Sequence, residues 1–400
     1  MLVLIELFDM NEPVHNIISL SAFQPDHMEV ICRGEKDEAH AKCVLGKYIR
    51  SAEFDTQIEY HICSPFELES AEKTIEIIID KYGAKNCMID IIGGNEMLLL
   101  AVGAAVREKD VRIVTQLKHG NDFVWLKGEP AAPKNPDFQI SVGQAIALAG
   151  GELTRNARVK KELFQSEFMK FVPAMFDVYM KHRSQWPSFV LYMQRLNRPE
   201  YEDLSMRDER CFCVPKTLYS GKKRLNPKLE IFNDLKAAGA LNYIYEEASH
   251  YCMQFSSDEM LKYLCDVGSW LELYAYHLFK RCGFFGDVQI SAVISWDGDS
   301  DREDVINEID LIATEGKGQL FISCKTALPD TAVLNEIAAL VSRFGSAYAI
   351  PVIVTASDLE REAPGVYRRA AEMGIAIFDK DDLNEHRFKE RIQQLRMRWT

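Results

Sequence analysis

One short stretch in the last quarter of the chain contains two acids that are two positions apart and a lysine that follows them. Residues 305–326 read VINEIDLIATEGKGQLFISCKT, with a strand-like run on each side of a glycine-containing turn. A hairpin centred on the Gly-Lys pair of that turn places Asp310 opposite Ser323 and Glu308 opposite Lys325. Because side chains alternate between the two faces of a strand, these four are predicted to share one face.

The opposite face of the predicted hairpin is apolar and is expected to be core. Its residues are Ile309, Leu311, Leu320, Ile322 and Cys324. Converging carboxylates suit Mg²⁺ or Mn²⁺, which prefer oxygen ligands and can acidify a bound water beside a phosphodiester. The alternative is a cross-strand Glu–Lys pair on a solvated sheet face, worth about 0.2–1 kcal/mol.

Composition describes an ordinary globular protein of two or three domains. The chain has 400 residues, 47% hydrophobic and 27% charged. It has no apolar run of membrane-spanning length, and its first residues, MLVLIELFD, turn acidic too early for a signal peptide. Ten scattered cysteines are expected to be reduced, in a cytoplasmic protein. A net charge of −13 argues against a general nucleic-acid coat protein, but a nuclease with local basic patches remains compatible.

The first third of the chain alternates apolar strands with amphipathic helices. Strands are predicted in LVLIELF, MEVICRG, TQIEYHIC, NCMIDIIG and VRIVTQL, with helical periodicity between them. This alternation predicts a domain with a parallel, doubly wound sheet over residues 1–137. Its last ten residues, GEPAAPKNPD, are rich in proline and are predicted to be a linker at the domain boundary.

Ligands of such sheets bind beyond the carboxyl ends of the strands, near helix N-termini. Two strand ends carry suitable residues. The first continues into Asp9, Met10 and Asn11, where Asn11 could cap a helix that Pro13 starts. The second continues into the ligand-site candidates Gly93, Gly94, Asn95 and Glu96. Paired glycines let backbone approach a phosphate closely, although a tight strand–helix turn is the plainer interpretation.

A mainly helical middle region is predicted over residues 138–257, followed by a second α/β unit over 258–400. Part of the middle region, residues 220–247, has a winged-helix-like outline with two helix pieces that turn at Gly239. The second unit opens with a helix in which Glu272 lies among apolar residues, and it continues in the order αβββαβ.

The acids, lysine and element order of the second unit resemble the PD-(D/E)xK, or restriction-endonuclease-like, superfamily. The motifs WLE, NEID and ISCK occur in the expected order. The resemblance implies that Asp310 is the central metal ligand and Lys325 the catalytic lysine. Glu308, Glu272 and the backbone carbonyl of Cys324 are the further ligand candidates. Ser323 stands where the family usually has an acid, with Glu308 as its substitute.

The strand ending in IIGGNEMLLLA resembles the signature of CARF domains, the Rossmann-like sensors of CRISPR-associated proteins. The family pattern is close to T-G-G-T-K, so Asn95 replaces the usual Thr and Glu96 the usual Lys. Together the resemblances imply a homodimeric nuclease of type III CRISPR antiviral defence. Cyclic oligoadenylate, most of all cyclic tetra-adenylate, would activate it, and Mg²⁺ or Mn²⁺ would serve cleavage of single-stranded RNA or DNA, with nicking of duplex DNA as a further activity.

Two other functions fit parts of the sequence. A cyclic-nucleotide-sensing regulator with a degenerate nuclease fold would explain Ser323 and would bind DNA through residues 220–247. A repair or restriction nuclease would have an N-terminal domain that binds something else.

Overall fold

The computed structural model describes residues 1–52, 54–64, 66–116, 122–135, 138–154, 166–196, 210–296 and 306–399. The sequence also predicts a polar turn at 297–304 and a helix from residue 160 onward. That turn and the first residues of that helix lie outside the described residues. Within the described residues, no helix is both long enough and apolar enough to cross a bilayer.

The N-terminal region is built on a six-stranded sheet. Its strands are β1 (Val3–Leu7), β2 (His27–Cys32), β3 (Gln57–Ile62), β4 (Cys87–Asp90), β5 (Arg112–Gln116) and β6 (Phe123–Lys127), in the spatial order β3-β2-β1-β4-β5-β6. All neighbours are parallel except β5 and β6, which are antiparallel. The predicted parallel, Rossmann-like sheet is therefore confirmed, and β6 adds an edge strand that the sequence analysis did not predict.

Helices cover both faces of this sheet. They are α1 (His15–Phe23), α2 (Glu35–Ala52), α3 (Leu68–Tyr82) and α4 (Glu96–Ala105), with a short 3₁₀ turn at Ala84–Asn86. One apolar cluster joins the sheet to α1 and α2, and a second joins it to α3 and α4. The strand order reverses between β1 and β4, so the crevice at their carboxyl ends is the expected ligand position of such a sheet.

The middle region combines short helices with small antiparallel sheets. Its elements are α5 (Val142–Leu148), β7 (Glu152–Leu153), a 3₁₀ helix (Glu167–Phe171), α6 (Val172–Lys181), α7 (Trp186–Leu196), β8 (Cys211–Pro215), β9 (Leu218–Ser220), β10 (Lys223–Leu225), α8 (Leu229–Ala237), β11 (Leu241–Glu246) and β12 (His250–Phe255). A helix, α8, precedes the β11–β12 hairpin, which agrees with the winged-helix-like outline. The two helix pieces predicted around Gly239 are one helix, because Gly239 adopts a φ of +82° and ends it.

One cysteine pair departs from the expectation that all ten cysteines are reduced. Cys213 and Cys252 lie directly opposite each other on β8 and β12, with their Cα atoms 4.1 Å apart, and form a disulfide. The sequence separation of 39 residues concealed this pairing, which only the strand register creates.

The C-terminal region has the predicted αβββαβ order. Its elements are α9 (Asp258–Leu264), α10 (Ser269–Arg281), β13 (Asp287–Ser295), β14 (Ile306–Glu315), β15 (Gly318–Lys325), α11 (Thr331–Phe344), β16 (Ala349–Thr355), α12 (Leu359–Glu362), α13 (Pro364–Glu372), β17 (Ala376–Phe378) and α14 (Glu385–Arg396). Its sheet has the order β17-β16-β15-β14-β13-β7. Strand β7 lies in the range predicted for the middle region, yet it pairs with β13.

The middle and C-terminal regions share one apolar core. A single buried cluster runs from α6 and α7 through α8 to α10 and β15. Within it, the rings of Phe176 on α6 and Tyr274 on α10 stack with their centroids 3.9 Å apart. The middle region is thus packed directly on the helix that carries Glu272.

Candidate functional site

The hairpin β14–β15 forms in the predicted register. Leu311 pairs with Ile322 and Glu315 with Gly318, and Gly316 supplies the positive φ of the turn at +55°. Asp310 lies just beyond the last hydrogen-bonded pair. There its Oδ2 atom accepts a 2.6 Å hydrogen bond from the backbone N–H of Cys324 and a 3.3 Å bond from the hydroxyl of Ser323. Ser323 therefore positions Asp310.

The predicted apolar face is interrupted at Asp310. Leu311, Leu320, Ile322 and Cys324 pack in the cluster that includes α10. Ile309 packs in the cluster on the other side of the sheet, so its predicted face was wrong. The reason lies in the neighbouring strand, where Ser291 has a φ of +50° and interrupts the β13–β14 ladder opposite Asp310.

Glu272 approaches Asp310 from the first turn of α10. Its Oε1 atom lies beside Gly268, where an added Cβ would be only 2.9 Å away. Burial raises the pKa of Glu272 to about 8, with further contributions from the negative charges of Asp310, Asp266 and Glu308. The positive charge of Lys325 opposes this rise. A buried acid surrounded by acids is costly unless a cation or a proton neutralises it.

Asp310 shares this electrostatic environment. Burial raises its pKa above the ordinary value, and the charge of Glu308 adds to the rise. The Cys324 N–H, Lys325 and Ser323 act in the opposite direction. Glu308 is exposed, whereas Asp310, Glu272, Ser323 and Lys325 are half-buried. The structure thus brings the five predicted catalytic residues to one strand end, with Glu308 at its rim.

The donor set fits a hard divalent cation by its chemistry. Mg²⁺ and Mn²⁺ prefer carboxylate oxygens as ligands. Burial raises the pKa of both Asp310 and Glu272, and the charges of neighbouring acids add to each rise, so a cation would stabilise their ionised forms. Burial raises the pKa of the Cys324 thiol well above its ordinary range, which leaves the backbone carbonyl as the donor that Cys324 can offer. Three clusters of described side chains have their ligand atoms within 4.8 Å of one another, and these acids are not among them. Binding of one ion by these acids would therefore require their oxygens to move closer together.

The second predicted site lies at the carboxyl ends of β1 and β4, which are adjacent and parallel. The carboxylate of Asp9 accepts hydrogen bonds from the N–H groups of Asn11 and Glu12, at 3.0 and 3.1 Å. Asp9 therefore organises this loop. Asn11 does not cap the helix as predicted, since α1 begins only at His15.

The glycine turn after β4 is held by tight packing. A Cβ on Gly93 would collide with the backbone carbonyl of Leu7 at the end of β1, so only glycine fits there. Asn95 caps α4 by accepting a 3.0 Å bond from the N–H of Leu98. Glu96 is exposed in the first turn of α4, and Met10 is 40% exposed on the facing loop. The predicted ligand residues therefore lie together at the adjoining carboxyl ends of β1 and β4.

Two acids that the sequence analysis did not single out lie beneath these loops. Burial raises the pKa of Asp90 to about 6, although Ser19 and the N–H of Ile92 donate hydrogen bonds to it. Burial likewise raises the pKa of Glu6 well above its ordinary value, and the charge of Asp90 adds to this. Their position inside strands made them indistinguishable from core residues in the sequence.

The Asp9 loop, residues 8–14 between β1 and α1, and the first residue of α1 directly contact the C-terminal region. Glu12 accepts a 2.8 Å hydrogen bond from the N–H of Ala347, and His15 lies between the carboxylate of Asp9 and the hydroxyl of Tyr348, at 3.2 and 3.0 Å. No sequence pattern signals these contacts, because the partners are more than 330 positions apart.

Comparisons of the whole chain agree with this architecture. No protein-family model and no curated protein matches the sequence. The fold is similar to that of protein VC1899 from Vibrio cholerae, with a TM-score of 0.72, 16% identity, and coverage of 99% of this chain and 97% of that one. It is also similar to Can2 from Sulfobacillus thermosulfidooxidans in complex with cyclic tetra-adenylate, with a TM-score of 0.63, 14% identity, and coverage of 100% and 97%. The chain therefore shares the fold of these two proteins over nearly its whole length, in agreement with the predicted Rossmann-like N-terminal sheet and αβββαβ C-terminal region.

Proposed function

We propose that the protein is a metal-dependent nuclease activated by cyclic oligoadenylate, with cyclic tetra-adenylate as the activator. The observation that carries the proposal is the convergence of Asp310, Glu272 and Lys325 at one desolvated strand end. The similarity of the fold to Can2 bound to cyclic tetra-adenylate supports the sensor assignment. The proposed setting is type III CRISPR antiviral defence.

In this proposal the carboxylates hold one metal ion, and their neighbours orient the ligands and the attacking water. Asp310 and Glu272 would hold Mg²⁺ or Mn²⁺, with Glu308 and the carbonyl of Cys324 completing the protein ligands. The ion would supply Lewis-acid stabilisation of a phosphodiester. Ser323 and the N–H of Cys324 fix one oxygen of Asp310, so its other oxygen is free to turn to the ion. Lys325 would orient the attacking water and stabilise charge on the phosphate.

The activator would bind in the crevice formed by Asp9–Asn11 and Gly93–Glu96. The N-terminus of α4 directs backbone N–H groups and the positive end of the helix dipole toward it. The negative charge of Glu96 would repel a phosphate at this end of α4. We therefore propose that backbone N–H groups and Asn95 recognise the activator.

The exposed apolar surface of α4 leads us to propose a homodimer. The helix EMLLLAVGAA has no charged residue after Glu96, yet Leu99 and Leu100 are 38% and 62% exposed. An exposed apolar helix face beside a ligand crevice is typical of a protein interface. Pairing across this face would let one cyclic ligand contact both sensor domains.

The proposed substrate is single-stranded RNA or DNA, with nicking of duplex DNA as a further activity to test. The decisive experiment incubates labelled single-stranded RNA, single-stranded DNA and supercoiled plasmid with Mg²⁺ or Mn²⁺. Each reaction is run alone, with cyclic tetra-adenylate and with cyclic hexa-adenylate. Cleavage that requires one ring and is lost in Asp310→Ala, with unchanged circular dichroism, is the expected result. Unchanged cleavage by that variant would end the assignment of Asp310.

The competing function is a ligand-sensing DNA-binding regulator. Two observations favour it: Ser323 replaces an acid, and the carboxylate oxygens are not gathered in one cluster. Absence of cleavage under every condition, together with ring binding and a sequence-specific gel shift, would establish it. Cleavage without any ring would instead indicate a repair or restriction nuclease.

A further inference from the structure

One short hairpin of the middle region carries a local excess of positive charge. Residues 216–228, KTLYSGKKRLNPK, contain five lysines and arginines and no acid, in a chain whose net charge is −13. Strands β9 and β10 pair within this segment, with Leu218 opposite Leu225 and Tyr219 opposite Arg224. A concentrated group of cations attracts a polyanion locally, even when the protein as a whole is acidic.

The cations at the tip of this hairpin face solvent. Lys222, Lys223 and Arg224 are all exposed. Within the described part of the chain, no acid lies at ion-pair distance from them, whereas Lys216 at the base of the hairpin is paired with Glu246 at 2.5 Å. Three neighbouring charges of one sign repel one another, so they do not stabilise the hairpin and are better suited to a partner of opposite charge.

The inner face of the hairpin is anchored. Leu218 and Leu225 are 3% and 1% exposed, and they pack in the apolar cluster that also contains Leu271 of α10. The hydroxyl of Ser220 accepts a 3.1 Å hydrogen bond from Arg195 of α7. The charged side chains therefore stand on a fixed support.

Helix α7 also connects this hairpin to the proposed catalytic centre. Gln194, the residue before Arg195, donates a 2.8 Å hydrogen bond to the carbonyl of Cys265. Cys265 directly precedes Asp266, whose negative charge contributes to the raised pKa of Glu272. Consecutive residues of one helix thus hold the hairpin and the loop ahead of Glu272, which fixes their relative position.

We propose that the β9–β10 hairpin binds the sugar–phosphate backbone of the nucleic-acid strand that is cleaved at the catalytic centre. The inference rests on the proposed nuclease function and adds a binding surface outside the residues that hold the metal. Tyr219 favours a nucleic acid over other polyanions, because it is 59% exposed beside Arg224 and offers an aromatic face on which a base can stack. Phosphate contacts carry no base information, so this binding should not depend on sequence.

The test measures binding in full-length Asp310→Ala, so that the strand is not cleaved. Fluorescence anisotropy follows labelled single-stranded DNA with cyclic tetra-adenylate present, between about 50 and 200 mM salt. The additional double substitution Lys223→Gln/Arg224→Gln should weaken binding about 2- to 30-fold, as expected for the loss of two exposed charge contacts. The slope of log affinity against log salt should become shallower by about 1.4, that is, 0.7 for each lost phosphate contact.

Arg368→Gln/Arg369→Gln is the matched control, because it removes two adjacent exposed charges from α13. It should leave the affinity and the salt slope unchanged, and neither double variant should alter the circular dichroism. Equal effects of the two double variants would show that only the net charge of the protein matters, which would overturn the proposal. An unchanged slope in Lys223→Gln/Arg224→Gln would overturn it too.

Comparison with cleavage by the otherwise wild-type protein separates this proposal from the nuclease function. If that protein cleaves nothing, but the hairpin variant still weakens binding to strands of every sequence, the nuclease function fails and the hairpin remains a nucleic-acid surface. Cleavage that is equally efficient with and without Lys223→Gln/Arg224→Gln would overturn the hairpin proposal and leave the nuclease function standing. A loss of binding to phosphatidylglycerol vesicles, with strand binding unchanged, would assign the hairpin to a membrane surface instead.

Discussion

The imidazole Nε2 atom of His15 lies 3.0 Å from the hydroxyl of Tyr348, and this contact joins the Asp9 loop to the C-terminal region. Within the N-terminal region, His15 also contacts Asp9. On the nuclease side, the carbonyl of Tyr348 accepts from the N–H of Gln319, the second residue of β15, at 3.2 Å. Lys325 ends that same strand. A displacement of the Asp9 loop thus has a short route to β15, the strand that ends with the proposed catalytic lysine.

Tyr348→Phe should weaken the coupling between the two sites. The variant loses the contact with His15 but keeps the backbone bonds of residue 348, so folding should be little affected. One neutral hydrogen bond contributes roughly 0.5–1.5 kcal/mol, which predicts about a 2- to 10-fold lower ratio of activated to basal cleavage. The measurement is cleavage rate against cyclic tetra-adenylate concentration. Tyr245→Phe, at an exposed position on β11, is the control, and an unaltered ratio in Tyr348→Phe would exclude this route.

Glu272 should make metal binding depend on pH. Because burial and neighbouring acids raise its pKa to about 8, it carries a proton in the metal-free protein at neutral pH. Metal binding must release that proton, so affinity for Mn²⁺ should rise as the pH increases toward 8. Glu272→Gln should bind Mn²⁺ more weakly and lose most of this pH dependence, as measured by calorimetry between pH 6.5 and 8.5.

Glu308→Gln supplies the comparison, because Glu308 is exposed at the rim of the site. We expect it to weaken Mn²⁺ binding while the pH dependence persists. If Glu308→Gln abolished the dependence and Glu272→Gln did not, the roles of the two acids would be exchanged.

The sequence was enough to predict the two α/β regions and the order of the helices and strands within them. Strand periodicity and glycine placement also predicted the β14–β15 register, since Gly316 fixes the turn. Ile309 could not be assigned correctly, because its face depends on an interruption in another strand at Ser291. The contact of His15 with Tyr348 also remained hidden, since it arises only when regions distant in sequence pack together.

Leu100→Glu should disrupt the proposed dimer. Leu100 is 62% exposed on α4, so a charge there costs nothing in the monomer but would be buried in a paired interface. Light scattering should give half the molecular mass of the wild type, and ring-dependent cleavage should fall. Leu126→Glu is the control, because Leu126 is also exposed, at 55%, but lies on the edge strand β6. A monomeric wild type, or a dimeric Leu100→Glu, would contradict the assignment of this surface.

Lys317 should reduce stability at neutral pH. The side chain is 4% exposed, and burial lowers its pKa to about 8, with its ammonium 4.4 Å from the ring centroid of Tyr348. A lowered lysine pKa means that the folded state resists protonation. The resulting penalty is therefore full below pH 8 and disappears as the pH rises toward the ordinary value of 10.5. Lys317→Met removes the charge together with the cation–π contact and the other interactions of the ammonium group. Because the pKa is lowered in spite of those interactions, the variant should be more stable at pH 7 by about 1–2 kcal/mol. Urea unfolding at pH 7 and at pH 10 measures the difference in the free energy of unfolding between Lys317→Met and the wild type. This difference should be smaller at pH 10. If it were larger at pH 10, the charged lysine would be stabilising in the folded protein, which contradicts the prediction.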